Sequence, residues 1–215
     1  MRLICLVAMI LTTLGTSTVR AQTMPALSPE ALSDLVPQWW RWRVALPALA
    51  LPDKDKAGHF CDVGQSGSTW FLAGLLTFGT TPGPMRRACI VPAGRRLFFP
   101  LVTLMRVVQG DITCAKAQAQ VSGGIDKADK MVATLDGADL LTSTPARWGS
   151  SATCVALNLP ADGPSSKLTA AVDGYWLSIG PLPSGHHTLV YGASLPANHD
   201  QNDIAQSTTY ELEVQ

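Results

Sequence analysis

Apolar and polar positions alternate along the chain in three different ways. Leu3 to Leu14 form an apolar run behind Arg2, and small and polar residues follow through Val19-Arg20-Ala21. That layout predicts a secretory signal peptide over residues 1–21, cleaved near Ala21. The run is shorter than the roughly 20 residues needed to span a bilayer. Residues 22–27 read as a flexible lead. A helical period comes next, with Ser28 as N-cap, Pro29 at the first helical position and Glu30 in the first turn. Leu32, Leu35, Val36 and Trp39 then recur at helical spacing. Pro37 lacks a backbone donor, so a kink or the start of a second helix is expected there. Trp39, Trp40 and Trp42 cannot all share one face. At least one is expected to pack elsewhere or to reach solvent.

From residue 69 the period shortens. "TWFLAGLLTF" is a nearly continuous apolar run, as expected of a buried strand. "ACIVP" and "RRLFFPLVTLMRVV" read as two strands around a tight turn at Pro92–Gly94. A helical insert is predicted over about 111–133. Asp111 is the expected cap, Cys114, Gln118 and Val121 form one face, and Gly123-Gly124 is the expected stop. Ile125, Ala128 and Val132 suggest a second short helix. Asp136-Gly137 is a hairpin turn signal. "SATCVALNLP", "GYWLSI", "HTLVYGA" and "STTYELEV" follow as further strands, each bounded by Gly, Pro, Asn or Asp. This density of strands, without βαβ alternation, predicts a mainly β domain over 28–215. The expected architecture is a β-sandwich or jelly-roll-like fold decorated by an N-terminal helix and a short helical insert.

Composition narrows the classes. Loss of Arg2 and Arg20 with the leader leaves 14 basic against 16 acidic residues, a net charge of −2. No run of Lys and Arg exists to displace counterions, so nucleic acid is not an expected partner. The mature chain of about 190 residues suffices for one domain with a real core. No later segment is apolar enough to span a membrane, so periplasmic or secreted protein is expected.

Export changes the reading of the cysteines. Cys5 leaves with the leader, and Cys61, Cys89, Cys114 and Cys154 remain as an even set in an oxidising compartment. Three pairings are possible. Cys61–Cys89 with Cys114–Cys154 is preferred, because each closes a moderate loop between neighbouring elements. No C-x2-C spacing occurs, so a tetra-thiolate metal site is not expected. No motif calls for a cofactor, and none is expected.

Candidate chemistry is sparse. Gly64-Gln65-Ser66-Gly67-Ser68 is one residue away from the G-x-S-x-G nucleophile elbow. Only a helix and loops precede Ser66, a strand follows it, and Ser68 stands where the last glycine belongs. A turn feeding a strand is therefore favoured over a nucleophile, although Asp173 and His186 would complete the order Ser, Asp, His. A calcium loop starting at Asp53 has its glycine, Gly58, but Gly64 stands where a bidentate Glu is required. His59, Asp62, Gln65 and either His186 or His187 could line a metal or catalytic groove if their loops meet. His186 and His187 are adjacent and point to opposite faces of a strand. Beside Arg41 and Arg43, an exposed Trp40 or Trp42 would offer a sugar-stacking or lipid-interface surface.

"PQWWRW", "GQSGSTWFLAG", "CIVPAGRRLFFP" and "VDGYWLSIGPLPSGHHTL" together resemble a set of uncharacterised exported bacterial proteins. The shared features are a Trp-rich helix, a WFLAG strand, a VPAG turn with a following FFP, and a DGYW/PLxxGxH segment. The resemblance implies export and a common fold, and carries over no catalytic residue. Two functions stay open. One is a binding protein for a ligand, glycan or protein partner outside the cytoplasm. The alternative is an extracytoplasmic hydrolase, lyase or metal-dependent enzyme with a His/Asp-lined groove.

Overall fold

The structure is a computed structural model that describes residues 27–52, 54–74, 76–78, 85–142, 145–151, 153–159, 167–196 and 204–215, with backbone alone for 76–78 and 204–205. The expected leader, and the lead up to residue 26, lie outside the described residues.

Helix α1 (Pro29–Ala45) starts where Ser28 Oγ accepts a hydrogen bond from Ala31 N at 3.2 Å. It runs through Pro37 as one helix, where the sequence suggested a kink or a second start. Leu32, Val36, Trp39 and Trp40 are buried on both sides of the proline, and this packing outweighs the one lost backbone bond. The three tryptophans also depart from expectation, because all join a single cluster. Trp39 and Trp40 are buried, and Trp42 is half-buried against them. At 100° per residue these side chains, with Leu32 and Val36, spread over an arc of about 160°. A helix lying flat on a sheet covers such an arc.

After a short turn at Ala48–Ala50, strands β1 (Thr69–Phe71) and β2 (Leu76–Phe78) come from the run read as one strand. They belong to different sheets. The chain crosses over near Gly74, where a Cβ would come within 2.7 Å of the Gln206 side chain. Strands β3 (Met85–Val91) and β4 (Arg96–Val107) also lie in different sheets, so the Pro92–Gly94 turn is a crossing and not a hairpin. Helix α2 (Cys114–Ile125) is capped by Thr113, whose hydroxyl accepts from Lys116 N, and not by Asp111. Gly123-Gly124 does not stop it. Ile125 is fully buried against Ala193 and Leu195, and a side chain at Gly124 would strike Leu104 at 2.5 Å.

The second short helix is replaced by β5 (Asp129–Leu135), which turns at Asp136-Gly137 into β6 (Ala138–Asp139). Asp136 and Gly137 have φ of 51° and 80°, as a tight hairpin turn requires. Strands β7 (Ala146–Gly149), β8 (Val155–Asn158), β9 (Lys167–Ile179), β10 (Gly185–Leu195) and β11 (Ile204–Val214) complete the chain.

Two sheets result, and the fold is a β-sandwich. One has the order β1-β4-β9-β7, with β8 also on β9; the other runs β2-β11-β10-β5-β6, with β3 also on β11. Pairing is antiparallel except for β1 with β4 and β3 with β11. Between the sheets lie Leu97, Phe99, Leu101, Leu189, Tyr191, Tyr210 and Leu212. On the outer face of the first sheet, α1 covers Phe98 and Trp176, whose rings stack at 5.2 Å. Disulfides join Cys61 to Cys89 and Cys114 to Cys154, the preferred pairing. Such cross-links fit an oxidising compartment outside the cytoplasm. Among the described residues no helix is long and apolar enough to cross a membrane.

The loop before β1 is held down by a buried ion pair. Asp55 accepts from the backbone N–H groups of Gly58, His59 and Phe60 at 2.8–3.1 Å, and from Arg87 Nη2 at 3.5 Å. Both side chains are 3% exposed. Arg87 also donates to Pro52 O and lies 5.5 Å from the centre of the Tyr210 ring. Asp55→Ala strands the Arg87 charge in the interior and is expected to destabilise the protein by about 3–5 kcal/mol in urea unfolding. A loss under about 1 kcal/mol, the scale of a surface substitution, would contradict this role.

Candidate functional site

A groove of about 680 Å³ opens where edge strand β1 of one sheet comes beside edge strand β3 of the other. The chain builds it mainly from three segments, with Gln215 at its edge. The Asp55-anchored loop contributes His59, Cys61 and Asp62, strand β1 contributes Trp70, and strand β3 with its following turn contributes Cys89, Ile90 and Pro92. The loop is fixed against β3 by Ala88 N donating to Ala57 O at 2.8 Å and by the Cys61–Cys89 disulfide. Gly58 makes that approach possible: at φ +87° its missing Cβ would sit 2.4 Å from Ala88 O.

The groove walls are mainly apolar. Ile90 is 58% exposed, although its β3 neighbours Cys89 and Val91 are buried. Trp70 is 5% exposed, and its indole N–H has no hydrogen-bond partner.

The residues singled out in sequence are partly brought together. His59 and Asp62 both line this groove and are exposed. Gln65 stands beside it in a different role. Its Nε2 donates to Cys61 O and Phe71 O, and its Oε1 accepts from Phe71 N, all at 2.8–2.9 Å. It staples the loop to β1. His186 pairs with Glu213 at 2.5 Å and is 90% exposed. It lies on β10, separated from β3 by β11. His187 is held by Asp136 Oδ2 at 2.7 Å and Pro183 O at 3.0 Å. Trp40 is buried, and the indole N–H of Trp42 is bonded to Val63 O at 3.0 Å.

Ser66 is exposed in a turn whose glycines, Gly64 and Gly67, have φ of +71° and +66°. An isolated bridge to Thr69 leads it into β1. Asp173 and His186, which complete the serine-hydrolase order, are committed elsewhere. Asp173 receives Arg147 Nε and Nη2 at 3.1 and 3.0 Å, and Ser122 Oγ at 2.7 Å. Arg147 reaches on to Asp126 at 2.6 Å, so the cluster ties α2 to β7 and β9. Asp53 and His199 lie outside the described residues. Among the described residues no three His, Cys, Asp or Glu side chains gather as metal ligands.

Sequence reasoning missed the Arg147–Asp173 pair and the exposed Ile90. Both had a signal in strand parity. Asp173 shares its side of β9 with Ala171, Tyr175, Leu177 and Ile179, so an inward carboxylate there demanded a cation. Ile90 alternates with Cys89 and Val91, which puts an isoleucine on the outward side. The chain matches no protein-family model, no curated protein and no solved structure.

Two outcomes follow from this geometry. Both ring nitrogens of His187 face oxygen acceptors, an arrangement completed only by the protonated imidazolium. Burial opposes that cation, but the hydrogen bonds to Asp136 and Pro183 and the Asp136 charge together raise its pKa. A raised folded-state pKa stabilises the fold fully below the unfolded value of about 6.5 and ceases to do so as pH rises through the folded value. Unfolding free energy should therefore decline over that window in the native protein and lose this decline in Asp136→Asn. An identical pH profile in the two proteins would contradict it. Ser66→Ala should change stability by less than about 1 kcal/mol, and a fluorophosphonate probe should leave the native protein unlabelled. Stoichiometric labelling that Ser66→Ala abolishes would move the protein to the serine hydrolases.

Proposed function

We propose that the protein acts in the periplasm or after secretion as a binding module, with the β1–β3 groove as its site. The ligand is a small molecule with an apolar ring or chain. The observation that carries this reading is the combination of an open apolar groove and an isoleucine 58% exposed in its wall. Small-molecule sites are typically apolar clefts of about 300–1,000 Å³ with a few polar groups that fix orientation. Ile90, Pro92 and the disulfide supply the apolar contact. His59 and Asp62 supply polar margins. The leader-like segment at 1–21 and the resemblance to exported bacterial proteins support the location.

A hydrolase or lyase is the competing reading, favoured by His59 and Asp62 lining the same groove. It requires both side chains for turnover, whereas the binding reading requires the walls. Titration with a neutral apolar fluorophore such as N-phenyl-1-naphthylamine separates the two. Saturable binding is expected, weakened at least about tenfold by Ile90→Arg and changed less than about threefold by His59→Ala with Asp62→Ala. The melting temperature of Ile90→Arg should stay near native, since the side chain is already exposed. Absent or unsaturable binding, or binding indifferent to Ile90→Arg, would overturn the reading.

A further inference from the structure

A second cavity, of about 330 Å³, lies between α1 and strands β7 and β8. It is distinct from the β1–β3 groove and chemically unlike it. Arg41 is the one charged residue among the described residues lining it. Trp148, Pro37, Ser150, Ser151 and Thr153 supply most of the remaining wall. We propose that this crevice binds an acidic saccharide unit, with its carboxylate on Arg41.

Three features support the assignment. Arg41 Nε donates to Ala156 O at 3.3 Å, which rests the guanidinium on the edge of β8. Its two terminal nitrogens carry no hydrogen bond or ion pair to the described residues, so the planar fork remains open to a carboxylate. The indole N–H of Trp148 is engaged by Ser33 Oγ at 3.1 Å, which sets the ring's orientation and leaves it as an apolar wall facing the crevice. A sugar ring presents C–H groups that pack on such a wall, as aromatic residues with one wet edge are suited to do. Ser151 Oγ and Thr153 Oγ1 lie 2.7 Å apart at the same crevice and are donors and acceptors for sugar hydroxyls. A simple anion would use the guanidinium and the hydroxyls as donors and leave the indole idle. A neutral sugar would leave the cation without a counter-charge. A sugar acid uses all three.

The arrangement also relocates the sugar-stacking surface that the sequence placed on Trp40 or Trp42 beside Arg41. The helix turns both of those rings into the cluster under α1, and the indole sharing a cavity with Arg41 comes from β7 instead. The volume lies at the lower end of the range for small-molecule sites, roughly 300–1,000 Å³, and suits a single sugar unit at the end or in the middle of a chain.

The test is calorimetric titration of the full chain at low ionic strength with trigalacturonate and with its neutral counterpart, trigalactose. Trigalacturonate should bind saturably, and trigalactose at least about tenfold more weakly, a difference of about 1.4 kcal/mol. Arg41→Ala should abolish binding, and Arg41→Lys should weaken it several-fold, because a point charge does not reproduce the fork. Raising the salt to about 0.5 M should weaken binding further. Arg41→Ala should keep the native melting temperature and still bind the apolar fluorophore in the β1–β3 groove, so that failure of one site is told apart from failure of the other or of folding. No saturable binding at millimolar trigalacturonate, binding unchanged in Arg41→Ala, or competition by acetate and sulfate as strong as by the sugar acid would each overturn the proposal.

Discussion

The pairing of β4 with β9 is the constraint on which the other layers depend. The two strands run antiparallel from Leu97 opposite Ile179 to Val107 opposite Ala170, with a bulge between Pro100 and Val102. Every layer of the molecule touches one of the two faces this ladder creates. Its inner face presents Leu97, Phe99, Leu101 and Ile179 to the second sheet. Its outer face presents Phe98 and Trp176 to α1. The bulge lets Leu101 and Val102 both contribute inward, and Val102 thereby reaches Ile125 of α2. Fully burying a side chain of this size contributes about 1.5–3 kcal/mol. The ladder's contribution therefore comes from being loaded on both sides. Both helices are secondary to it: α1 covers one face, and α2 fills the inter-sheet space at one end.

Charged groups inside follow a related rule. A buried carboxylate is tolerated when hydrogen bonds and a cation surround it. Asp55 and Asp173 meet that condition in the same way, each with an arginine and further donors. Each stands where an irregular or short segment joins the sandwich. Asp55 fixes the loop that forms a wall of the groove, and Asp173 fixes α2 and β7. Tyr191 is a neutral group treated differently. Its hydroxyl is buried without a partner, and burial pushes its pKa well up, so it remains neutral in the core.

Local signals in the sequence were legible where local chemistry decides structure. Ser28-Pro29 set the start of α1 and Asp136-Gly137 set a hairpin, while loop length favoured the cysteine pairing that forms without excluding the other two. The β-sandwich was legible from strand density. Failures came where a distant contact overrides local preference. Gly123-Gly124 is a stop signal in isolation, but burial of Ile125 and the close approach of Leu104 make it part of a helix. The run from Trp70 to Phe78 looks like one strand because apolar content does not reveal a change of sheet. Pro37 stays inside a helix because the face that spans it is buried. Of the residues read as a possible groove lining, His59 and Asp62 share a cavity. His59 and His186 are near the same end of the second sheet, but β11 separates β3 from β10, and Glu213 takes His186. Strand order of that kind has no signature in a single sequence.

The two disulfides lie beside the two cavities, and this placement links compartment to the shape of their walls. Cys61 and Cys89 line the β1–β3 groove, and Cys154 lines the crevice under α1. Neither cross-link joins the β4–β9 ladder, which already has a core on both faces. Each one instead fixes a wall-forming segment that has little apolar burial of its own. Residues 58–62 are largely exposed, and so are Ser151 and Thr153. Packing alone leaves such segments free to sample many conformations, and ordering them on ligand binding would then detract from affinity. A covalent link imposes that order during folding, before any ligand arrives. The link forms and persists only in an oxidising compartment. An oxidising environment is in this sense part of how the cavities are shaped, because each disulfide adds a covalent tie to a wall-forming segment.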